Sequence, residues 1–445
     1  LSVSTSTVLE AYRLLEDRGL ITARPQSGYY VKQAALSLLQ EPAPTTPPRQ
    51  AHDVDITLGF HINSTARDQS RVELGAAFPA MELLPLAQIN RLMGKIMRED
   101  PEMAHAYGPP LGCIELRTEL ARRMLNCGCS LAPDQLIVTN GTNEAMYCAL
   151  QAITQPGDTV AVESPTYFAI LEAMKILGLK VLTLPTHPRT GMSLSHLEDA
   201  LQTGDLKAIL LVSNFSNPLG SCMDDAQKKS LVDLINQYDV PLIEDDVYGE
   251  LNFEGNRPKA IKAFDTEGRV IYCASVSKTL SPGLQTGWCI PGRYYPQVSK
   301  LKSIINMNNA IAPQLTTAAF LTNGGFDRHL RQLRRAYQTQ MGRMHQAISD
   351  YFPAETRATR PTGGHIIWLE MPQGFDALRL YQEAHAQQIG IAPGIMFSAS
   401  GKCYGNCLRL NTSKPWSDPI ERAMQTLGYL AKKQLAEQFL REEAP

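Results

Sequence analysis

Lys278 follows the apolar run Val270–Ala274 by way of Ser275-Val-Ser277. A lysine at the lip of a core loses solvation, which lowers its pKa and leaves its amine nucleophilic toward an aldehyde. Upstream, Leu242-Ile-Glu-Asp-Asp-Val-Tyr248 puts three acids at the end of another apolar run. Carboxylates that close to a core are costly unless paired, and a protonated pyridine nitrogen would be a fitting partner for Asp245. Asn140-Gly-Thr-Asn143 opens a helical pattern over Glu144–Ala152, where free N–H groups and the positive dipole end can receive a phosphate. Tyr167, in Ser164-Pro-Thr-Tyr167, could stack on a flat ring, and Asn217, before Pro218, could donate a hydrogen bond. Each has a blander reading: a solvated lysine, strand-end acids in water, a packing tyrosine, a turn-forming Asn. What favours the chemistry is the order: phosphate turn, ring stacker, amide, acid and lysine each follow an apolar run.

Those runs are Gln135–Thr139, Thr159–Glu163, Lys180–Leu184, Ala208–Ser213, Val240–Glu244, Val270–Ala274 and Gly287–Ile290, with helical patterns such as Tyr167–Leu177 and Ala226–Tyr238 between most of them. Strand–helix alternation with strands apolar on both faces predicts an α/β fold, a mostly parallel sheet covered on both sides. Ligands of such sheets collect at the carboxyl ends of the strands. Arg328–Tyr351 reads as a long helix that ends the sheet region. Gly363–Leu369, Ala377–Gln388, Cys407–Leu410 and Pro419–Arg441 read as a smaller α+β domain.

The first 31 residues have a different character. Val8, Tyr12 and Leu15 recur at helical spacing after Ser4, an N-cap, and Gly19 stops the run. Leu20–Ala23 and Tyr29–Val31 flank Arg24-Pro-Gln-Ser-Gly28, a hairpin signal. One helix and one hairpin cannot bury a core alone, so part of this module is expected upstream. Residues 32–54, with Glu41-Pro-Ala-Pro-Thr-Thr-Pro-Pro48, read as an extended, solvated linker.

Composition narrows the classes. The 445 residues leave room for two or three domains. A net charge of −2 argues against nucleic acid coating the whole surface and leaves room for one local DNA contact. No apolar run reaches about 18 residues, so no transmembrane helix is expected. Nine scattered cysteines, none at zinc-site spacing, read as free thiols suited to a reducing cytoplasm, with no metal site.

The set Gly141-Thr142-Asn143, Tyr167, Asn217-Pro218, Asp245-x-x-Tyr248, Ser275-x-x-Lys278 and Arg409 resembles the class I/II aminotransferases, fold type I pyridoxal phosphate (PLP) proteins, over roughly residues 55–445. The resemblance implies a seven-stranded, mostly parallel sheet in a large domain (about 107–325), and a small domain (about 326–445) with an N-terminal segment. It further implies that Lys278 holds PLP as an imine and that Asp245 bonds the ring nitrogen, keeping it an electron sink. Asn217 and Tyr248 would meet the phenolic oxygen, and Tyr167 the ring face. Gly141, Thr142, Asn143, Ser275 and Ser277 would hold the phosphate, helped by Tyr107 from a partner subunit. Arg409 would clamp a substrate carboxylate. Gln285 stands where the family usually has a phosphate-binding arginine. It keeps a donor and loses a charge-assisted bond of roughly 1.5–3 kcal/mol.

Residues 1–31 look like the C-terminal part of a GntR-type winged helix. Thr5, Ser6 and Thr7 stand at the start of the recognition helix, and Arg24, Gln26 and Ser27 at the wing. The two preceding helices of that module are absent, so the chain reads as N-terminally truncated. Winged helix, linker and aminotransferase-like domain together resemble the MocR/GabR-type regulators. That implies a homodimer whose PLP domain senses an amine, an amino acid or PLP and passes the result to DNA binding. A catalytic aminotransferase of the kynurenine/aminoadipate type is the alternative; a decarboxylase or lyase has no feature in its favour.

Overall fold

The computed structural model describes residues 4–17, 21–24, 28–31, 39–48, 50–55, 71–323 and 325–442. Each of the seven apolar runs forms a strand of one sheet. In spatial order they are Lys180–His187, Thr159–Ser164, Leu206–Leu211, Leu242–Asp245, Val270–Ser275, Gly287–Ile290 and Ile137–Thr139. Neighbours pair in parallel except Gly287–Ile290, which runs antiparallel to both its neighbours. Two further two-residue strands extend the sheet to nine among the described residues: His52–Asp53 along Lys180–Val181, and Gly191–Met192 against Thr186–His187.

The strands are apolar throughout because helices cover both faces. Val160, Val162 and Ile243 pack with Ala145, Met146 and Ala149 of the helix Gly141–Ile153. The intervening Ala161 and Leu242 pack with Leu231 and Ile235 of the helix Asp225–Tyr238 on the other side. This is the period-two alternation of a pleated strand.

The helix Gly325–Tyr351 leads into the second lobe. There Arg357–Ala358, Ile366–Glu370, Cys407–Asn411 and Ala392–Pro393 form an antiparallel sheet. The helices Ala377–Ala386 and Asp418–Glu442 cover it, with a core of their own around Leu380, Leu408 and Leu427. The chain before the large lobe joins this lobe too, as Val72–Glu73 pairs with Ile389–Gly390.

Near the N-terminus the helix runs Thr5–Asp17, with the Ser4 hydroxyl accepting from the Thr7 N–H at 3.2 Å. The hairpin pairs Ile21–Arg24 with Gly28–Val31, and Tyr29 stacks on Tyr12 at 4.5 Å. The Pro-rich stretch departs from the expectation of a solvated linker. Residues 41–48 form no helix or strand, but they lie against the body of the protein, with Pro42 buried. Thr45 makes backbone and side-chain bonds there that composition cannot reveal. All nine cysteines are free. Among the described residues no helix is long and apolar enough to cross a membrane.

Candidate functional site

The carboxyl ends of the central strands surround a cavity of about 300 Å³. Lys278, Asp245, Tyr248, Asn217, Tyr167, Ser275, Ser277, Gln285, Arg409 and the turn Gly141-Thr142-Asn143 all line it. Tyr107 stays apart, 85 % exposed on this chain. Thr5, Ser6 and Thr7 are exposed on the N-terminal helix, Arg24 ends the first hairpin strand, and Gln26 and Ser27 lie outside the described residues.

The three acids after Ile243 are separated by the pleat. Glu244 and Asp246 point into the wall. Glu244 accepts from the Ser213 hydroxyl at 2.5 Å and the Ile261 N–H at 2.7 Å. Asp246 pairs with Arg257 at 2.6 Å and accepts from the Tyr272 hydroxyl at 2.9 Å. Asp245, between them, faces the cavity and keeps one bond, from the Val247 N–H at 3.2 Å. Burial pushes its carboxyl up to about 7, while that N–H and Lys278 pull the other way.

Lys278 sits across the cavity, its Nζ 5.8 Å from the Tyr248 ring centroid and donating to the Ala77 carbonyl at 2.7 Å. Burial lowers its pKa to about 8, Arg409 adds to the fall, and Asp245 offsets part of it. Tyr248 is 3 % exposed, and burial holds its hydroxyl protonated well above the usual range. Arg409 is buried. It donates to Asn217 Oδ1 at 2.8 Å and to the Gly75 carbonyl, while its Nε has no partner.

The anion end of the cavity is built from backbone. Gly141 starts its helix at φ +76°, and Asn140 does not cap it, because its side chain bonds Asn309 instead. Thr142 Oγ1 is buried without a partner. Gln285 is exposed at the rim, donating to the Pro282 carbonyl at 2.9 Å.

Several contributors carry no motif. Gly287 is one: a Cβ there would fall 2.6 Å from the Gly141 carbonyl carbon, so only glycine lets the strand pass the turn. The wall over Lys278 is another. The carbonyls of Gly75, Ala76, Ala77 and Phe78 accept in turn from Arg409, Asn411, Lys278, and Asn411 with Ser413. Backbone acceptors have no side-chain signature, and these partners lie some 200 to 335 positions away in sequence.

Residues 80–427 match the family model for aminotransferase class I and II. This chain belongs to that family. It is, moreover, of the MocR/GabR type within it. It is 38 % identical to the HTH-type transcriptional regulator YjiR of Escherichia coli K12, over 96 % of this chain and 90 % of that one. Its identity to YdcR of the same organism, also named an HTH-type transcriptional regulator, is 39 % over 97 % and 92 %. Among solved structures, the multiple substrate aminotransferase of Thermococcus profundus superposes with a TM-score of 0.79 at 26 % identity, covering 86 % of this chain and 96 % of that one. LysN, the α-aminoadipate aminotransferase of Thermus thermophilus, gives 0.78 at 27 %, over 83 % and 94 %. PLP is the cofactor of this family member. The cavity fits it: an uncapped helix start and the unpartnered Thr142 hydroxyl for a phosphate, a buried carboxyl for a ring nitrogen, and a lysine of lowered pKa.

Proposed function

We propose that this chain is a PLP-dependent, DNA-binding transcriptional regulator whose aminotransferase-like domain senses an amine, an amino acid or PLP itself. One observation carries the reading. Identity of 38–39 % to HTH-type regulators, over nearly the full length, coincides with a cavity that holds Lys278, Asp245 and Arg409 together. On this reading residues 1–31 belong to the winged helix and residues 32–54 connect it to the PLP domain at 55–445. The protein works in the cytoplasm as a homodimer. Tyr107, exposed on one copy, serves the phosphate of the other. Thr5, Ser6 and Thr7 face DNA from the N-terminal helix, with Arg24 at the wing.

PLP, when bound, supplies an aldehyde that takes up amines and a ring that accepts electrons from the adjacent carbon. The rest is the work of this chain. Lys278 is the residue that holds the cofactor, since burial keeps a usable fraction of its amine neutral near pH 7. Asp245 holds a proton at the ring nitrogen, its wall of Glu244 and Asp246 fixing the strand that presents it. Asn217 and Tyr248 orient the phenolic oxygen and Tyr167 covers the ring. The helix start at Gly141, with Thr142, Asn143, Ser275, Ser277 and Gln285, holds the phosphate. Arg409 binds an effector carboxylate with its planar fork.

Visible absorption tests the cofactor assignment. Wild-type chain mixed with PLP should gain the band of lysine-bound PLP, and Lys278→Ala should not; an identical spectrum in the variant would refute it. A second reading, an active aminotransferase, is favoured by the buried Arg409–Asn217 pair, which suits an amino-acid substrate. Amino acid supplied with a keto-acid acceptor separates the two: sustained turnover marks the enzyme, and a single amine exchange marks the sensor.

A further inference from the structure

The Pro-rich stretch crosses the seam between the two lobes. At its start the Gln40 carbonyl accepts from the Ala358 N–H of the small lobe at 2.9 Å, and the Leu39 carbonyl accepts from Arg360. The Glu41 carboxylate then spans the gap: one oxygen accepts from the Arg360 N–H at 3.2 Å, and the other pairs with Arg189 of the large lobe. Four residues on, Thr45 is bonded to the large lobe. Its N–H donates to the Thr186 carbonyl at 3.1 Å, its hydroxyl donates to the Ser164 carbonyl at 2.6 Å, and the Thr186 N–H donates back to that hydroxyl at 2.9 Å. Beyond it, His52–Asp53 lies on the sheet edge and Val54 in the large-lobe core.

A short chain of contacts links the seam at Thr45 to the effector end of the cavity. The Ser164 hydroxyl shares a hydrogen bond with the small-lobe Tyr404 hydroxyl at 2.7 Å. Two residues later the Thr166 N–H donates to the Phe397 carbonyl at 3.1 Å, and the Phe397 ring lies 4.9 Å from the Arg409 guanidinium carbon. A ligand that draws Arg409 and its lobe toward the large lobe therefore changes the gap that Glu41 and Thr45 span. Upstream, the chain runs to the hairpin and helix of the N-terminal module.

We propose that residues 39–45 are a latch that reads the spacing of the two lobes and passes it to the DNA-binding module. This rests on the proposed function and names its transmission element. Such coupling is reciprocal: if a carboxylate-bearing ligand tightens the latch, the latch tightens binding of that ligand.

The test compares two probes on the full chain, PLP alone and the reduced adduct N-(5′-phosphopyridoxyl)-L-alanine, which adds a carboxylate within reach of Arg409. Hydrogen exchange at the Thr45, Ala358 and Arg360 amides should be about fivefold slower with the adduct than with PLP, the low end of common coupling strengths. In the double variant Glu41→Gln/Thr45→Val that difference should vanish. The adduct should bind the variant about fivefold more weakly, with PLP alone binding both proteins equally. Equal exchange rates with the two probes in wild-type chain would overturn the latch, whether or not the variant folds. A folded variant that binds the adduct as tightly as wild type would overturn it too. If neither probe binds wild-type chain, the cofactor reading itself fails, and that outcome is distinct from the other two.

Discussion

The rate at which this chain captures PLP should follow the ionisation of one buried amine. Only the neutral form of Lys278 can attack an aldehyde, and burial with Arg409 nearby lowers its pKa from 10.5 to about 8. At pH 7 this raises the neutral fraction from about 0.03 % to about 9 %, roughly a 300-fold gain in competent amine. The capture rate should rise about ninefold from pH 6 to 7, about fivefold from 7 to 8, and less than about twofold from 8 to 9. Asp245, pushed up to about 7, acts in the same direction. Below that pH it carries a proton of its own and offers the ring nitrogen no charge, so the acid limb should be steeper than Lys278 alone predicts. Stopped-flow absorbance with PLP in excess gives the profile directly. Arg409→Leu should move the midpoint above 8, because it removes a cation that destabilises the protonated lysine. A rate that keeps climbing tenfold per pH unit through 9 and 10 would mean the amine is an ordinary solvated lysine, and the argument from burial would fail.

Three other perturbations probe separate parts of the site. Gln285→Arg should bind PLP about five- to tenfold more tightly by equilibrium dialysis, as a charge-assisted bond exceeds a neutral one by about 1–1.5 kcal/mol; no gain would place position 285 out of reach of the phosphate. Gly287→Ala should lower stability in urea unfolding by about 1–3 kcal/mol and weaken PLP binding, since the added Cβ drives the Gly141 turn out of place. Arg409→Leu should retain PLP, yet lose the spectral response to L-alanine by at least about tenfold, the worth of one charge-assisted bond; an unchanged response would remove Arg409 from effector binding.

Much of this arrangement is legible in the sequence because the strands are short, apolar and end in polar residues. The seven runs form the seven strands of three or more residues in the sheet, and the residues read at their ends line one cavity. Local pattern specifies such features: burial on both faces demands Val, Ile and Leu, and the switch to Ser, Asn, Asp and Lys marks where the core stops. Tertiary pairing is less visible. Three acids in a row at 244–246 do not say which one faces the cavity until strand pairing fixes the pleat. The Gly75–Phe78 wall uses main-chain oxygens, which every residue possesses. The docking of residues 41–48 escapes local pattern for a related reason. Prolines favour extended backbone, but whether that backbone meets water or protein depends on acceptors such as the Ser164 and Thr186 carbonyls more than 100 positions away.

The alternation at Glu244, Asp245 and Asp246 also constrains how this strand can evolve. Inserting or deleting a residue between Leu242 and Asp245 would rotate the segment by half a turn. An anchoring acid would then meet the ligand, and Asp245 would be driven among Arg257, Tyr272 and Ser213. Length here is as tightly fixed as chemical identity, so a change in spacing should be tolerated no better than a substitution of Asp245 itself.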